Sequence, residues 1–218
     1  MRDDKLIEYY RSRAGEYEQI YYRDDAERRS EIDDEASRVT ELARRNHVLE
    51  LACGTGYWTE RMSHSAKSIT AVDAASEMID EAKKKSYGVS VQFIDTDMFT
   101  FLFPVKHFDL VAVGFWFSHH PKESYEKFFD LVSRPLAPNG KIWIIDNNPP
   151  AEGANQSSVG VDEHGNNYKE RVLENSEKHR ILKNYFSETQ LRTIFSDRFE
   201  IDCLTYKKYY WSVVLSLR

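Results

Sequence analysis

Apolar positions in this chain change their period as the sequence advances. Over the first 46 residues they recur every three or four positions: Leu6, Tyr9, Tyr10, Arg13, Ala14 and Tyr17 trace one stripe, and Ile32, Ala36, Val39, Leu42 and Ala43 a second. That spacing predicts two amphipathic helices, the later one over residues 32–45. At His47 the pattern switches. Val48 to Ala52 is a short apolar run halted by Cys53-Gly54-Thr55-Gly56, and Trp58, Met62 and Ala66 follow at helical spacing, which reads as strand, glycine turn, helix. Further strands are predicted over 68–72, 89–94, 108–115 and 141–146. Helices over 75–85 and from Pro121 through Val132 fall between them, and Asn139-Gly140 reads as a turn. Residues 108–115 are almost continuously apolar, as befits a strand buried on both faces. Strands alternating with helices over about a hundred residues imply an α/β fold, a parallel sheet wound on both faces with right-handed crossovers.

The stretch 147–167 holds two Pro, three Gly and repeated Asn and Ser, with little to bury. Loops of this length are functional lids or disordered. Strands are expected over 168–173 and 178–185. Ser187 and Gln190 form a capping box for a helix reaching Phe195, and 199–206 with 209–217 alternate like the arms of a hairpin. One domain results: a helical cover (1–46), a core (47–146), a loop and hairpin insertion (147–186), and a closing helix and strand hairpin (187–218).

Composition narrows the class. With 218 residues, 41% of them hydrophobic, the chain can bury a core without disulfides or a structural metal. Its two cysteines, Cys53 and Cys203, show no CxxC spacing, and the seven histidines show no ligand spacing, so no metal is expected and a reducing cytoplasm suits the chain. Thirty Lys+Arg against 36 Asp+Glu give a formal charge of −6, the wrong sign for a general nucleic-acid surface. No run approaches the roughly 20 apolar residues of a membrane span, and Met1-Arg2-Asp3-Asp4-Lys5 is no signal peptide.

Ligands of open α/β sheets bind beyond the carboxyl ends of the strands. Four such ends here carry groups suited to one ligand. Gly54 and Gly56 let backbone approach closely and present N–H groups at a helix start. Asp73, 17 residues after Gly56, can accept from both hydroxyls of a ribose. Asp97 can take an adenine amino group, with Met98 against the ring. Gly114-Phe115-Trp116 would line the reacting end. Singly, Asp73 or Asp97 could be a cap or turn former; the four in register favour a nucleotide. A dinucleotide fingerprint needs a third glycine where Thr59 stands, behind Tyr57 and Trp58, so a pyrophosphate is hindered. An adenosine with an amino-acid tail needs only two glycines, with Glu50 available to the tail's ammonium through water. That describes S-adenosylmethionine.

The run Val48-Leu49-Glu50-Leu51-Ala52-Cys53-Gly54-Thr55-Gly56 resembles the glycine-rich first motif of class I S-adenosylmethionine-dependent methyltransferases. Ala71-Val72-Asp73-Ala74-Ala75-Ser76-Glu77-Met78 is similar to their second motif, Asp95-Thr96-Asp97-Met98 to their adenine motif, and Leu136-Ala137-Pro138-Asn139-Gly140-Lys141 to the turn before their fifth strand. Asn139 departs from the family's frequent glycine. The likeness covers about residues 46–146, and the terminal hairpin fits the family's reversed seventh strand. It implies a Rossmann-like, mostly parallel sheet under a helical N-terminal cover. It also implies S-adenosylmethionine as cofactor, S-adenosylhomocysteine as product, and a small-molecule acceptor with an O, N or S nucleophile. By the same likeness Gly54 and Gly56 face the methionine tail, Asp73 the ribose, Asp97 and Met98 the adenine, and Met78 flanks the base; Ala52, Ala74 and Phe115 complete the set. The spacing of Tyr9, Tyr21 and Arg28 from Ala52 is similar to that of cofactor-contacting residues in glycine N-methyltransferase-like enzymes, with Arg28 clamping the carboxylate and a tyrosine face near the sulfonium.

His119 and His120 follow the fourth strand, where the substrate pocket should open. An imidazole suits a general base if the acceptor still carries a proton; structural hydrogen bonding is the other role open to them. Two other functions stand beside methyl transfer: a non-catalytic S-adenosylmethionine-binding protein, and a nicotinamide-linked oxidoreductase, against which Trp58 and Thr59 argue. Methylation of RNA or protein is disfavoured by the charge and by the absence of an Asn-Pro-Pro-Tyr type motif after the fourth strand.

Overall fold

The alternation of strand and helix builds a seven-stranded sheet in this computed structural model, which describes residues 4–22, 24–150, 158–173 and 176–218. Strands β1 (His47–Leu51), β2 (Ser68–Asp73), β3 (Val91–Asp95), β4 (Phe108–Gly114) and β5 (Leu136–Asn147) run parallel in the order β3-β2-β1-β4-β5. The polarity reverses only at the end of the chain. A terminal strand (Tyr210–Leu217) lies antiparallel between β5 and its own hairpin partner (Phe199–Tyr206). The class expected from the sequence, Rossmann-like with a reversed last strand, is the one observed.

Two-residue alternation explains the two-sided core. Leu49, Leu51, Val111, Val113, Ile142 and Ile144 face one layer, against Phe117, Phe128, Phe195 and Trp211. Val48, Leu110, Ala112, Trp143 and Ile145 face the other, against Trp58, Met62 and Met78. Helices α1 (Asp4–Arg13), α2 (Ala26–Ala43), α3 (Tyr57–Ser63), α4 (Ser76–Ala82), α5 (Tyr125–Ser133) and α6 (Glu188–Ser196) cover these faces and the sheet's upper rim. The capping box of α6 forms as expected: Ser187 Oγ accepts from Gln190 N at 3.3 Å, and Gln190 Oε1 accepts from Ser187 N at 2.9 Å.

Several boundaries differ from the pattern. Helix α2 begins at Ala26, well before Ile32, because the Asp25 carboxylate accepts from Arg28 N at 3.0 Å and caps a first turn that carries no apolar signal. The first stripe divides: α1 stops at Arg13 and a 3-10 turn continues over Ala14–Ile20. Pro121 does not open α5 directly; a 3-10 turn over Lys122–Ser124 intervenes. Strand β5 starts at Leu136 rather than Lys141, absorbing the expected Asn139-Gly140 turn as an irregularity with Asn139 at φ 65°.

The stretch 147–167 is not wholly loop. Ser158–Val161 forms β6 and pairs antiparallel with β7 (Asn167–Val172), which pairs with β8 (Lys178–Leu182); residues 151–157 of the predicted loop lie outside the described residues. In chain order the terminal hairpin supplies β9 and β10. Two buried carboxylates tie these additions to the core. Glu31 of α2 accepts the backbone N–H groups of Lys208, Tyr209 and Tyr210 at 3.1, 3.0 and 3.2 Å, holding the β9–β10 turn. Asp146, fully buried at the end of β5, accepts from Ser118 N at 2.8 Å and pairs with Lys183 Nζ at 2.9 Å, while Lys183 also donates to Ser118 Oγ at 2.6 Å. Burial alone would raise the Asp146 carboxyl; the Lys183 ammonium and the N–H donor outweigh it and hold it below its ordinary range.

Replacing Lys183 with Met strands that carboxylate without its counter-charge. Lys183→Met is expected to lower stability by about 3–5 kcal/mol, read as a shift of the urea midpoint. A midpoint equal to that of the unmodified protein would show the pair to be dispensable.

Candidate active site

The rim at the carboxyl ends of β1, β2 and β4 is built from strained or reserved backbone. After β1 the chain passes through Ala52 (φ 54°), Gly54 (φ 55°) and Gly56 (φ 80°). A Cβ on Gly56 would fall 2.6 Å from the Tyr87 hydroxyl and 3.1 Å from Ala82 Cβ, so both conformation and space require glycine. Phe115, just after β4, stands at φ 57°, unusual for a bulky residue and placed where the cavity wall turns.

Asp73 joins two of these ends. Its Oδ2 accepts from Gly54 N at 2.8 Å and its Oδ1 from Ala75 N at 2.9 Å. Burial pushes this carboxyl up to about 6, against the lowering effect of those N–H donors. Asp97 is arranged differently: Oδ1 accepts from Phe99 N at 2.9 Å, while the buried Oδ2 has no partner among the described residues. An unpaired carboxylate oxygen facing a cavity is an acceptor awaiting a donor.

One cavity gathers most of the residues singled out from the sequence. Ala52, Gly54, Asp73, Ala74, Met78, Asp97, Met98 and Phe115 line it together with His119 and His120. Tyr9, Tyr21 and Arg28 do not; they line a second cavity beside it. Tyr21 lies flat on Tyr57, ring centroids 3.6 Å apart, and Arg28 Nε donates to the Tyr210 hydroxyl at 2.6 Å. Gly56 and Glu50 line neither cavity. Glu50 is turned inward beneath the loop, where its Oε2 accepts from Thr59 Oγ1 at 2.5 Å and burial pushes its carboxyl up to about 8. It braces the loop against α3.

The periodicity of α1 concealed a second use. Leu6, Ile7 and Tyr10, with Tyr17 from the following turn, line the first cavity as a cover over the strand ends. Thr55 donates to Glu18 at 3.2 Å, and Glu18 also meets the Lys85 ammonium, so the cover is pinned to the glycine loop. Phe99 and Trp116 add aromatic walls.

Both histidines are buried. His119 Nδ1 lies 2.6 Å from the Leu182 carbonyl, which makes Nδ1 the donor and leaves Nε2 to accept from the Tyr10 hydroxyl at 3.0 Å. Burial and the Lys183 charge hold its imidazole well below the ordinary value, so it is neutral with both nitrogens engaged. His120 Nε2 donates to the Ser124 carbonyl at 2.9 Å and its ring stacks on Phe99; burial lowers its value as well. These contacts fit orientation of the wall, and a base role for His119 would require Tyr10 to move.

A doubly wound sheet with a reversed last strand thus carries a glycine loop and two aspartates at one rim, around one cavity. Residues 48–140 match a family model described as a methyltransferase domain. A demethylmenaquinone methyltransferase of Thermus thermophilus is 32% identical over 111 residues, covering 49% of this chain and 50% of that protein. The chain spans about half the length of the curated relatives it matches. Among solved structures, the DhpI–SAH complex superposes with a TM-score of 0.76 at 26% identity, covering 98% of this chain and 96% of the other. A DhpI–SAM–HEP complex gives 0.74 at 27%, with the same coverage. Residues 48–140 thus match a methyltransferase domain, and nearly the whole chain takes the fold of the similar proteins bound to SAH and SAM.

Gly114, at the end of β4, offers a test of the rim. A Cβ there would lie 2.5 Å from Cδ1 and Nε1 of Trp58, a ring already packed on Trp143 and Phe115. Gly114→Ala is expected to cost about 1–3 kcal/mol through overpacking, with altered tryptophan fluorescence; an unshifted melting temperature would contradict this packing.

Proposed function

We propose that the protein moves a methyl group from S-adenosylmethionine to a small-molecule nucleophile by in-line displacement, leaving S-adenosylhomocysteine. The observation carrying this reading is the lone Oδ2 of Asp97, buried in a cavity whose other walls are Met98, Met78 and Phe99. An adenine amino group satisfies that acceptor while the ring lies against the apolar walls. Asp73 stands at the next strand end, where ribose hydroxyls would reach it, and Gly54 brings backbone toward the amino-acid tail. The complexes of similar proteins with SAH and SAM support the same occupant.

The bound cofactor supplies an electrophilic methyl on a sulfonium. The chain's own residues position and exclude water. Leu6, Ile7 and Tyr10 cover the rim, and Phe115 with Trp116 wall its inner end. Tyr10, Tyr17, Phe115 and His119 border both cavities, so they form the neck through which an acceptor in the second cavity would meet the methyl. Holding two reactants in that alignment lowers a bimolecular barrier by up to about 7–11 kcal/mol in favourable intramolecular models.

Calorimetry with SAH and, separately, NAD+ tests the reading; SAH is expected to bind and NAD+ not, and the opposite pattern refutes it. Asp73→Ala should weaken SAH binding about tenfold or more through two lost hydrogen bonds, with circular dichroism confirming the fold. The pH dependence follows from the raised carboxyl. An ionised Asp73 accepts two hydroxyls and a protonated one does not, so SAH affinity should fall as pH drops through about 6. Asp73→Asn should flatten that limb, and an unflattened one would remove Asp73 from the site.

A further inference from the structure

The face of the small β6-β7-β8 sheet that closes the second cavity is cationic. Lys169 and Arg171 stand two residues apart on β7 and therefore on one face, and Lys183, two residues beyond Ile181, joins them from the end of β8. Lys169 is only 4% exposed. Its ammonium lies 4.6 Å from the Tyr185 ring, and no ion pair to a carboxylate is formed by Lys169 or Arg171 among the described residues. Asp146 is already taken by Lys183 and by Ser118 N. Among the described residues the one carboxylate on the cavity wall, Glu16, sits 3.7 Å from Arg13.

Burying an ammonium without a counter-charge is costly, and proteins ordinarily pair such groups or neutralise them. Burial, with Arg171 and Lys183 adding to it, presses the Lys169 value down to about 8. A wall that holds this arrangement over open space is suited to a guest of opposite sign. The second cavity has about 710 Å³ to receive one, and Tyr10, Tyr17, Phe115 and His119 line both it and the first cavity.

We propose that the methyl acceptor is a small organic acid whose oxyanion head is held by Lys169 and Arg171 on the inner face of this sheet. The inference rests on the methyltransferase reading and names the substrate class of that site. Arg171 offers a planar fork to two oxygens of a carboxylate, sulfonate or phosphate, and Lys169 adds a point charge in a dry setting. Recognition by this pair selects the charged head of the acceptor, whichever oxyacid carries it.

The test uses the full chain loaded with S-adenosylmethionine and a matched panel: short carboxylates, sulfonates and phosphate monoesters, each beside its neutral amide or alcohol. Release of S-adenosylhomocysteine should occur with at least one class of acid and fall tenfold or more with its neutral counterpart. Lys169→Met and Arg171→Gln should each raise the KM for that acid at least tenfold while SAH affinity, measured by calorimetry, stays within twofold. Equal turnover of neutral members overturns the proposal. So does a panel in which no acid is methylated or bound while SAH still binds, an outcome that leaves the methyltransferase reading intact. Loss of SAH affinity in both variants would assign the cations to the cofactor's own carboxylate and also overturn it. Failure of the unmodified chain to bind SAH removes the underlying reading instead.

Discussion

A single buried ion pair fixes the relation between the sheet and everything that surrounds the acceptor side. Asp146 lies near the end of β5 inside the core; Lys183 reaches it from the residue directly after β8; Ser118 joins both from the turn after β4. Each partner is intolerable there alone, because a buried charge without its opposite forfeits several kcal/mol of solvation. The three segments can therefore settle in only one mutual position. That position sets His119 against the Leu182 carbonyl and Tyr10 against His119, so the N-terminal cover inherits its place from the same pair. An apolar substitute of similar volume would fill the space without fixing the angle of approach, which is how polar contacts in a core can specify geometry more than they stabilise it.

The glycine loop is governed by a comparable economy of groups. Asp73 binds Gly54 N and Ala75 N, Glu50 binds Thr59, and Glu18 meets Thr55 and Lys85. The loop is thus held from beneath, beside and above without any ligand. Pre-formed backbone of this kind spends little ordering entropy on binding. The Asp97 Oδ2 differs from these carboxylates: it is buried at the cavity without a partner among the described residues, and a donor from outside would satisfy it.

Fold and rim were legible in the sequence for different reasons. Two-residue alternation in β1, β4 and β5 reports burial on both faces, and glycine at 54 and 56 reports a turn that side chains would obstruct. The aspartates are legible only together: either one alone could be a cap or turn former, whereas both at successive strand ends beside a glycine turn suit one ligand. Helix α1 was legible as a helix, but not which of its residues line a cavity: Leu6, Tyr9 and Tyr10 serve packing and cavity lining at once, and periodicity cannot separate the two. The Thr59 contact of Glu50 was not legible, because a carboxylate near the end of a strand looks the same in sequence whether it faces a ligand or a threonine in the first turn of the next helix. Lys169, Arg171 and Lys183 were not singled out, because a cation in a short strand or at its end looks the same in sequence whether it faces solvent or a cavity. Only the fold shows that this polar face is turned inward.

That inward turn bears on the electrostatics of the proposed reaction. A sulfonium in the first cavity and two cations in the second that have no carboxylate partner among the described residues repel one another, and in a site of low dielectric the repulsion is larger than it would be in water. An acceptor without charge would leave the repulsion in place throughout the reaction. An oxyanion between them cancels it on arrival and draws the sulfonium and the β7 wall toward a common centre. His119, engaged on both nitrogens, has no lone pair left to accept a proton there, and an acceptor that enters already ionised does not ask it to. The neutral imidazole and the cationic wall are then two parts of one arrangement, with charge supplied to hold the acceptor and no base retained to activate it.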